Sequence, residues 1–148
     1  SPDEYGLVLD DIRDPGNFGT IIRTAEWYGI QKIIVSPAAA DFYNPKVISA
    51  TMGSFTRVNI FYTDLPLYLA ASSHRVYGAF LEGKDVHAVQ FSRAGLIVIG
   101  SESHGISPAL SPFITEKITI PRYGNAESLN ARVATAVICD NLRRTIGP

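Results

Sequence analysis

Residues 7–35 read LVLDDIRDPGNFGTIIRTAEWYGIQKIIV, and the periodicity of their apolar positions changes twice along the way. Leu7–Asp10 and Lys32–Val35 have the length and β-branched content of strands. Between them Phe18, Ile22 and Ala25 share one helical face, with Ile21 and Tyr28 beside it, so the spacing predicts a helix over 18–28. Gly29 then stands where a helix-ending glycine belongs. The alternation continues outward, with Val58–Tyr62, Val76–Phe80, Leu96–Gly100 and Lys117–Ile120 reading as strands. A last helix repeats Leu129, Val133 and Val137 at i+4 beside Ala134, Ile138 and Leu142, and Arg143 and Arg144 suit its C-terminal end. Six nearly continuous apolar strands alternating with helices argue for an α/β fold, an open, largely parallel sheet with helices on both faces. In such sheets ligands bind beyond the carboxyl ends of the strands.

The composition fits one globular domain and no division into two. At 148 residues, 46% hydrophobic and 18% charged, the chain is not a disordered tail, and its length lets it bury roughly 70% of its unfolded surface without disulfides or a metal clip. Cys139 stands alone and cannot form an internal bridge. No apolar run approaches the roughly 20 residues of a membrane span, and the start SPDEYG lacks the regions of a secretory signal. The expected compartment is therefore the cytoplasm, and Ser1 in place of Met reads as a trimmed start. Thirteen Lys and Arg against 14 Asp and Glu give a net charge of −1. Any polyanion site must then be local, shared with a partner subunit or supplied by another segment.

Three loops after strands are too specific for simple connections. In DDIRDPGNFGTIIR, residues 10–23, Pro15 and Gly16 suit the centre of a type II turn and Asn17 the N-cap of the following helix. Gly19 lies one helical turn before Arg23, which leaves the backbone beside the guanidinium open to approach. In GSESHG, residues 100–105, Gly100 lets a ligand meet the main chain and Glu102 points toward the same crevice; the plainer reading is a surface turn with Ser107 capping a short helix. In NAESLN, residues 125–130, Ser128 or Asn125 suits the cap of the last helix, and Asn130 falls in its first turn, where asparagine is a poor helix former.

Several other patterns fail on chemistry. GAFLEGKD, residues 78–85, matches a phosphate-binding loop through Gly83 and Lys84, but Asp85 replaces the magnesium-holding Ser or Thr and Glu82 repels phosphate. The glycine fingerprint of a nicotinamide fold is absent. His74, His87, His104 and Cys139 lack metal-ligand spacing, and Ser103 beside His104 lacks the order of a nucleophile elbow.

In their order and spacing the three loops resemble the three motifs of the SpoU (TrmH-like) RNA ribose 2′-O-methyltransferases of the SPOUT superfamily. Asn17, Gly19, Arg23, Thr24 and Ala25 resemble the first motif, Gly100, Glu102 and Gly105 the second, and Ile120, Pro121, Gly124, Ser128, Leu129 and Asn130 the third. The likeness runs from Leu7 to Arg144, with departures at Arg122, Ala131 and Arg132. It implies a catalytic domain over 1–148, with the RNA-binding N-terminal domain of many relatives lying outside it, a C-terminal trefoil knot and a homodimer. The knot breaks the rule that connections do not thread loops, and nothing in the strand pattern announces it. The implied cofactor is S-adenosylmethionine with no metal, and the implied substrate is a ribose 2′-hydroxyl of ribosomal or transfer RNA.

The implied catalytic set is Arg23, Asn17, Glu102, Ser128 and Asn130. The implied cofactor site takes Ala79, Phe80, Leu81 and Gly83 on one side, and Gly100, Ser101, Glu102, Gly105, Ile120, Leu129 and Ala134 on the other. A guanidinium with a pKa above about 12 is a poor base, so Arg23 is read as an electrostatic stabiliser and phosphate clamp, with RNA phosphate or water taking the proton. Glu102 is read as orienting Arg23 or Asn17, and Ser128 with Asn130 as holding the ribose or the loop. The competing readings are a cofactor-binding RNA-recognition module without turnover, a SPOUT enzyme acting on a base nitrogen, and a small-molecule α/β enzyme.

Overall fold

A computed structural model describes residues 4–37 and 57–148. Six described strands, β1 (Tyr5–Asp10), β2 (Lys32–Val35), β3 (Asn59–Tyr62), β4 (Val76–Asp85), β5 (Gly95–Gly100) and β6 (Glu116–Thr119), form one sheet in the order β3-β2-β1-β5-β4-β6. Every pairing in it is parallel. The described helices are α1 (Pro15–Trp27), α2 (Leu65–Ala71) and α3 (Ala131–Ile146), with short 3₁₀ turns at Val86–Ala88 and Ser111–Phe113. None of the described helices is long and apolar enough to cross a membrane.

All six residues of β1 are buried, as a central strand covered on both faces requires. Alternate residues feed two cores. Leu7, Leu9, Ile33, Val35, Ile97 and Ile99 pack with Phe18, Ile21, Ile22 and Ala25 of α1 and with Ile138, Cys139 and Leu142 of α3. Val8, Ile34, Leu96 and Val98 face the other way, onto Leu65 and Leu69 of α2 and onto Ile106 and Leu110. After β6, at one edge of the sheet, the chain returns across it so that α3 lies against α1.

Both functional helices begin at residues other than those the sequence signals favoured. α1 starts at Pro15, inside the expected turn, and its N-cap is Asp14, whose Oδ2 accepts the Asn17 N–H at 2.8 Å. Proline at the first helical position needs no hydrogen bond and has its φ preset, so Asp14-Pro15 outcompetes Asn17 as a start. α3 is capped by Asn130, whose Oδ1 accepts the Arg132 N–H at 2.9 Å. Neither Ser128 nor Asn125 caps it, and Leu129 precedes the helix instead of opening it. Gly29 does end α1, with φ 75°.

The expected strand 76–80 continues to Asp85 with an irregularity, since Ala79 and Lys84 both stand opposite Ile118. The rejected phosphate-loop lookalike is thus strand and bulge. A Cβ on Gly83 would lie 2.7 Å from the Lys117 carbonyl oxygen, so glycine there serves strand contact. Arg122, the departure from the third motif, donates to the Ala126 carbonyl at 3.0 Å and braces its own loop.

Candidate active site

β1 and β5 end side by side, with Asp10 opposite Gly100, and the first two motif loops leave from this point. Asp10 is buried and its Oδ2 accepts the Ser107 N–H at 2.7 Å, which ties the far end of the 101–106 loop back to β1. Within the loop Ser101 bridges Gly105, whose φ is 66°, and the Ser101 hydroxyl accepts the His104 N–H at 3.1 Å. A Cβ on Gly100 would sit 2.2 Å from the Gly105 carbonyl carbon. The chain's own backbone thus fills the space a side chain would need at Gly100.

This closed turn holds Glu102 over α1. Asn17, released from capping, donates its Nδ2 to Glu102 Oε1 at 2.6 Å across 85 positions of sequence. A hydrogen bond to a carboxylate is among the stronger kind. It joins the first and second motifs directly.

Two adjoining clefts open here and share Ser101, Glu102, Ser103, His104 and Ala131. The smaller, about 490 Å³, lies between the α1 N-terminus and the Glu102 loop and is lined also by Asp11, Ile12, Arg13, Asp14 and Asn17. The larger, about 680 Å³, is within the usual size of a small-molecule site. Its walls are Ala79, Phe80 and Leu81 from β4, Gly100 and Gly105, and Ile120, Ser128, Leu129 and Ala134 from the third motif and α3. Lys117 stands 4.9 Å from the Phe80 ring centroid in the same wall, a cation–π contact, and the Thr119 hydroxyl donates to the Leu81 carbonyl at 3.0 Å.

Most of the expected site residues converge on these clefts, and four stand differently. Gly83 lines neither cleft. Asn130 lines neither and is occupied as the α3 cap. Gly19 is buried within α1 and offers no open backbone. Arg23 is exposed on α1 and outside both linings. Sequence reasoning missed Asp11, Arg13 and Asp14 of the smaller cleft, and Lys117 and Glu127 of the larger. The Asp14-Pro15 pair was a readable signal, because it moves the helix start back and brings residues 11–14 to the site. His104, set aside for lacking ligand spacing, lines both clefts.

A family model described as the SpoU rRNA Methylase family matches residues 4–140. The chain is 34% identical over 141 residues to a Bacillus subtilis 23S rRNA (guanosine(2553)-2′-O)-methyltransferase, covering 93% of this chain and 57% of that protein. It is 32% identical over 155 residues to a Streptomyces viridochromogenes 23S rRNA (uridine(2479)-2′-O)-methyltransferase, covering 97% and 54%. The solved complex of the Streptomyces viridochromogenes SpoU methyltransferase AviRb with AdoMet superposes with a TM-score of 0.89 at 30% identity, over 99% of this chain and 60% of that one. An AdoMet-bound rRNA methyltransferase from Sinorhizobium meliloti superposes at 0.92 with 31% identity, over 100% and 59%. The chain thus spans little more than half the length of these relatives.

Proposed function

The chain belongs to the SpoU rRNA methylase family, and from that membership we propose that it transfers a methyl group from S-adenosylmethionine to a ribose 2′-hydroxyl of ribosomal or transfer RNA. One observation carries the proposal. The Asn17–Glu102 hydrogen bond of 2.6 Å stands at the boundary of two clefts, one sized for a cofactor and one open to a polar substrate.

The larger cleft fits the adenosyl group by its chemistry. Ala79, Phe80, Leu81, Ile120 and Leu129 offer apolar walls to a flat base, while the backbone at Gly100, Ile120 and Leu129 supplies donors and acceptors. The bound cofactor supplies an electrophilic methyl on a sulfonium centre. The protein's task is then to hold the 2′-oxygen in line with that methyl and to lower the cost of losing the proton. Transfer of that methyl to the ribose oxygen would leave a neutral thioether, and the hydroxyl proton would pass to water or an RNA phosphate. Glu102 fixes Asn17, and the Asn17 amide with the Ser128 hydroxyl orients the ribose. Asn130 acts through α3, by setting where Leu129 and Ser128 lie.

Arg23 contributes positive charge from outside both clefts, which fits a site completed when a second subunit or the RNA covers that face of α1. A homodimer is part of this reading. Val133 is 43% exposed and Val137, one turn on, is half-buried, an apolar edge of α3 left open among the described residues. The cytoplasm is its expected place, where the unpaired thiol of Cys139 stays reduced.

Incubating the protein with tritiated cofactor and unmodified RNA transcripts, then digesting to nucleosides, tests the function. A 2′-O-methylnucleoside is the expected product. Label on a base nitrogen, or none from protein that binds the cofactor, would falsify it.

A further inference from the structure

Among the described residues ten line the smaller cleft, and Arg13 is the one lysine or arginine of these. The cleft's carboxylates are already engaged within the chain. Asp14 Oδ2 accepts the Asn17 N–H at 2.8 Å, Glu102 Oε1 the Asn17 amide at 2.6 Å, and Asp11 Oδ1 the Nε of Arg13 at 2.6 Å. Asp11 is the only non-glycine residue with positive φ, 63°, among the described residues. Its N–H donates to the Ser36 hydroxyl at 2.9 Å, which helps hold that left-handed turn. An unfavourable backbone conformation is thus maintained where a carboxylate grips an arginine at the mouth of a cleft, and such strain gathers at functional sites.

The grip uses one edge of the guanidinium only. With Nε committed to Asp11, Nη1 and Nη2 have no hydrogen-bond partner among the described residues, and the side chain is 69% exposed. Two parallel N–H donors on a planar fork match two oxygens of a phosphodiester. In a chain of net charge −1, a cation beside the proposed ribose site has more effect than one elsewhere on the surface. Arg23, read from its guanidinium chemistry as a phosphate clamp, lines neither cleft.

We propose that Arg13 is the phosphate-binding residue of the substrate site, taking the RNA phosphodiester next to the target ribose on its Nη1/Nη2 edge while Asp11 sets its orientation. The assignment rests on the RNA-methyltransferase reading and adds to it a residue for substrate affinity.

The test compares the wild-type chain with Arg13→Gln, Arg13→Lys and Asp11→Asn. Binding of labelled, unmodified ribosomal and transfer RNA transcripts is followed across a potassium chloride series, with cofactor affinity by calorimetry and thermal unfolding alongside. Arg13→Gln is expected to raise the RNA Kd about tenfold and to reduce the slope of log affinity against log salt by about one. Cofactor affinity and Tm stay at the wild-type values. Arg13→Lys recovers the salt slope but only part of the affinity, since an ammonium keeps the charge and loses the fork. Asp11→Asn weakens RNA affinity less than Arg13→Gln and keeps the slope.

Arg13→Gln with wild-type RNA affinity and slope overturns the assignment, as does a loss of RNA binding that merely follows a fall in Tm. A wild type that binds RNA and cofactor but transfers no methyl overturns the proposed function instead, and the salt slope still decides Arg13. A wild type that binds none of the transcripts overturns the Arg13 assignment outright.

Discussion

Glu102 and Asn17 are both surface groups, so the hydrogen bond between them adds only about 1 kcal/mol to folding, and its weight falls on geometry. Asn17→Ala and Glu102→Gln should each lower kcat by about a hundredfold with little change in Tm. The double variant should lose no more than the worse single one, because each removes the same positioned pair; a double-mutant cycle on kcat checks it, and additive losses would separate the two roles. Cys139 offers a prediction on stability. Burial against α1 and the sheet pushes its thiol from 9.0 up to about 12. An unfolded thiol ionises first, so its contribution is complete below pH 9 and is lost as pH rises from 9 toward 12, by up to about 1.4 kcal/mol per pH unit. Urea unfolding of wild type and Cys139→Ala across that range should show the extra fall in wild type alone. Gly100 shows why residue-level reading stops short. A glycine at a strand end was legible as a point of close approach, yet its neighbour is the Gly105–Ile106 backbone, and which atoms approach depends on a turn closed by contacts that spacing does not encode. Gly100→Ala should therefore cost about 1–3 kcal/mol by overpacking, measured by denaturant midpoint, before any effect on cofactor is considered.

Helix ends, more than helix existence, decided what the sequence showed of the site. The apolar columns of α1 and α3 and all six strands could be read because burial on one or both faces imposes a period. The ends could not be ranked, since Asp14, Asn17, Asn125, Ser128 and Asn130 are all competent caps, and the winner is set by what packs behind it. At α1 the choice of Asp14 frees the Asn17 amide for Glu102. At α3 the choice of Asn130 leaves Leu129 and Ser128 outside the helix, on the cleft wall. Asn130→Ala should consequently cost about 1 kcal/mol of stability and also weaken cofactor binding severalfold, with Asn130→Asp restoring both, since aspartate caps equally well. Calorimetry and thermal unfolding on the same samples would show this. Cofactor affinity untouched by the loss of the cap would detach α3 from the site.

At the scale of the whole molecule the parallel sheet covered on both faces followed from the alternation of strands and helices, but the strand order and the location of Arg23 did not. It lies on the exposed face of α1, outside both clefts, and a group outside the cleft lowers a barrier inside it only if something brings it there. Two-fold pairing through the exposed Val133 face of α3 is a physical means, because an isologous interface gives each subunit the same face of its partner. Val133→Glu should then shift sedimentation from dimer to monomer and remove methyl transfer while the cofactor still binds. Arg23→Ala, in contrast, should stay dimeric, keep cofactor affinity and lose about a hundredfold in kcat, as removal of a transition-state charge contact does. Mixing decides between service within a subunit and service across the interface. If Arg23 serves its partner's cleft, Arg23→Ala and Glu102→Gln chains, each inactive alone, combine at random into dimers of which about half are mixed, each with one site fully wild type. The mixture then recovers about a quarter of wild-type activity. If both residues serve the same subunit's cleft, every mixed dimer has one defect in each site and nothing is recovered.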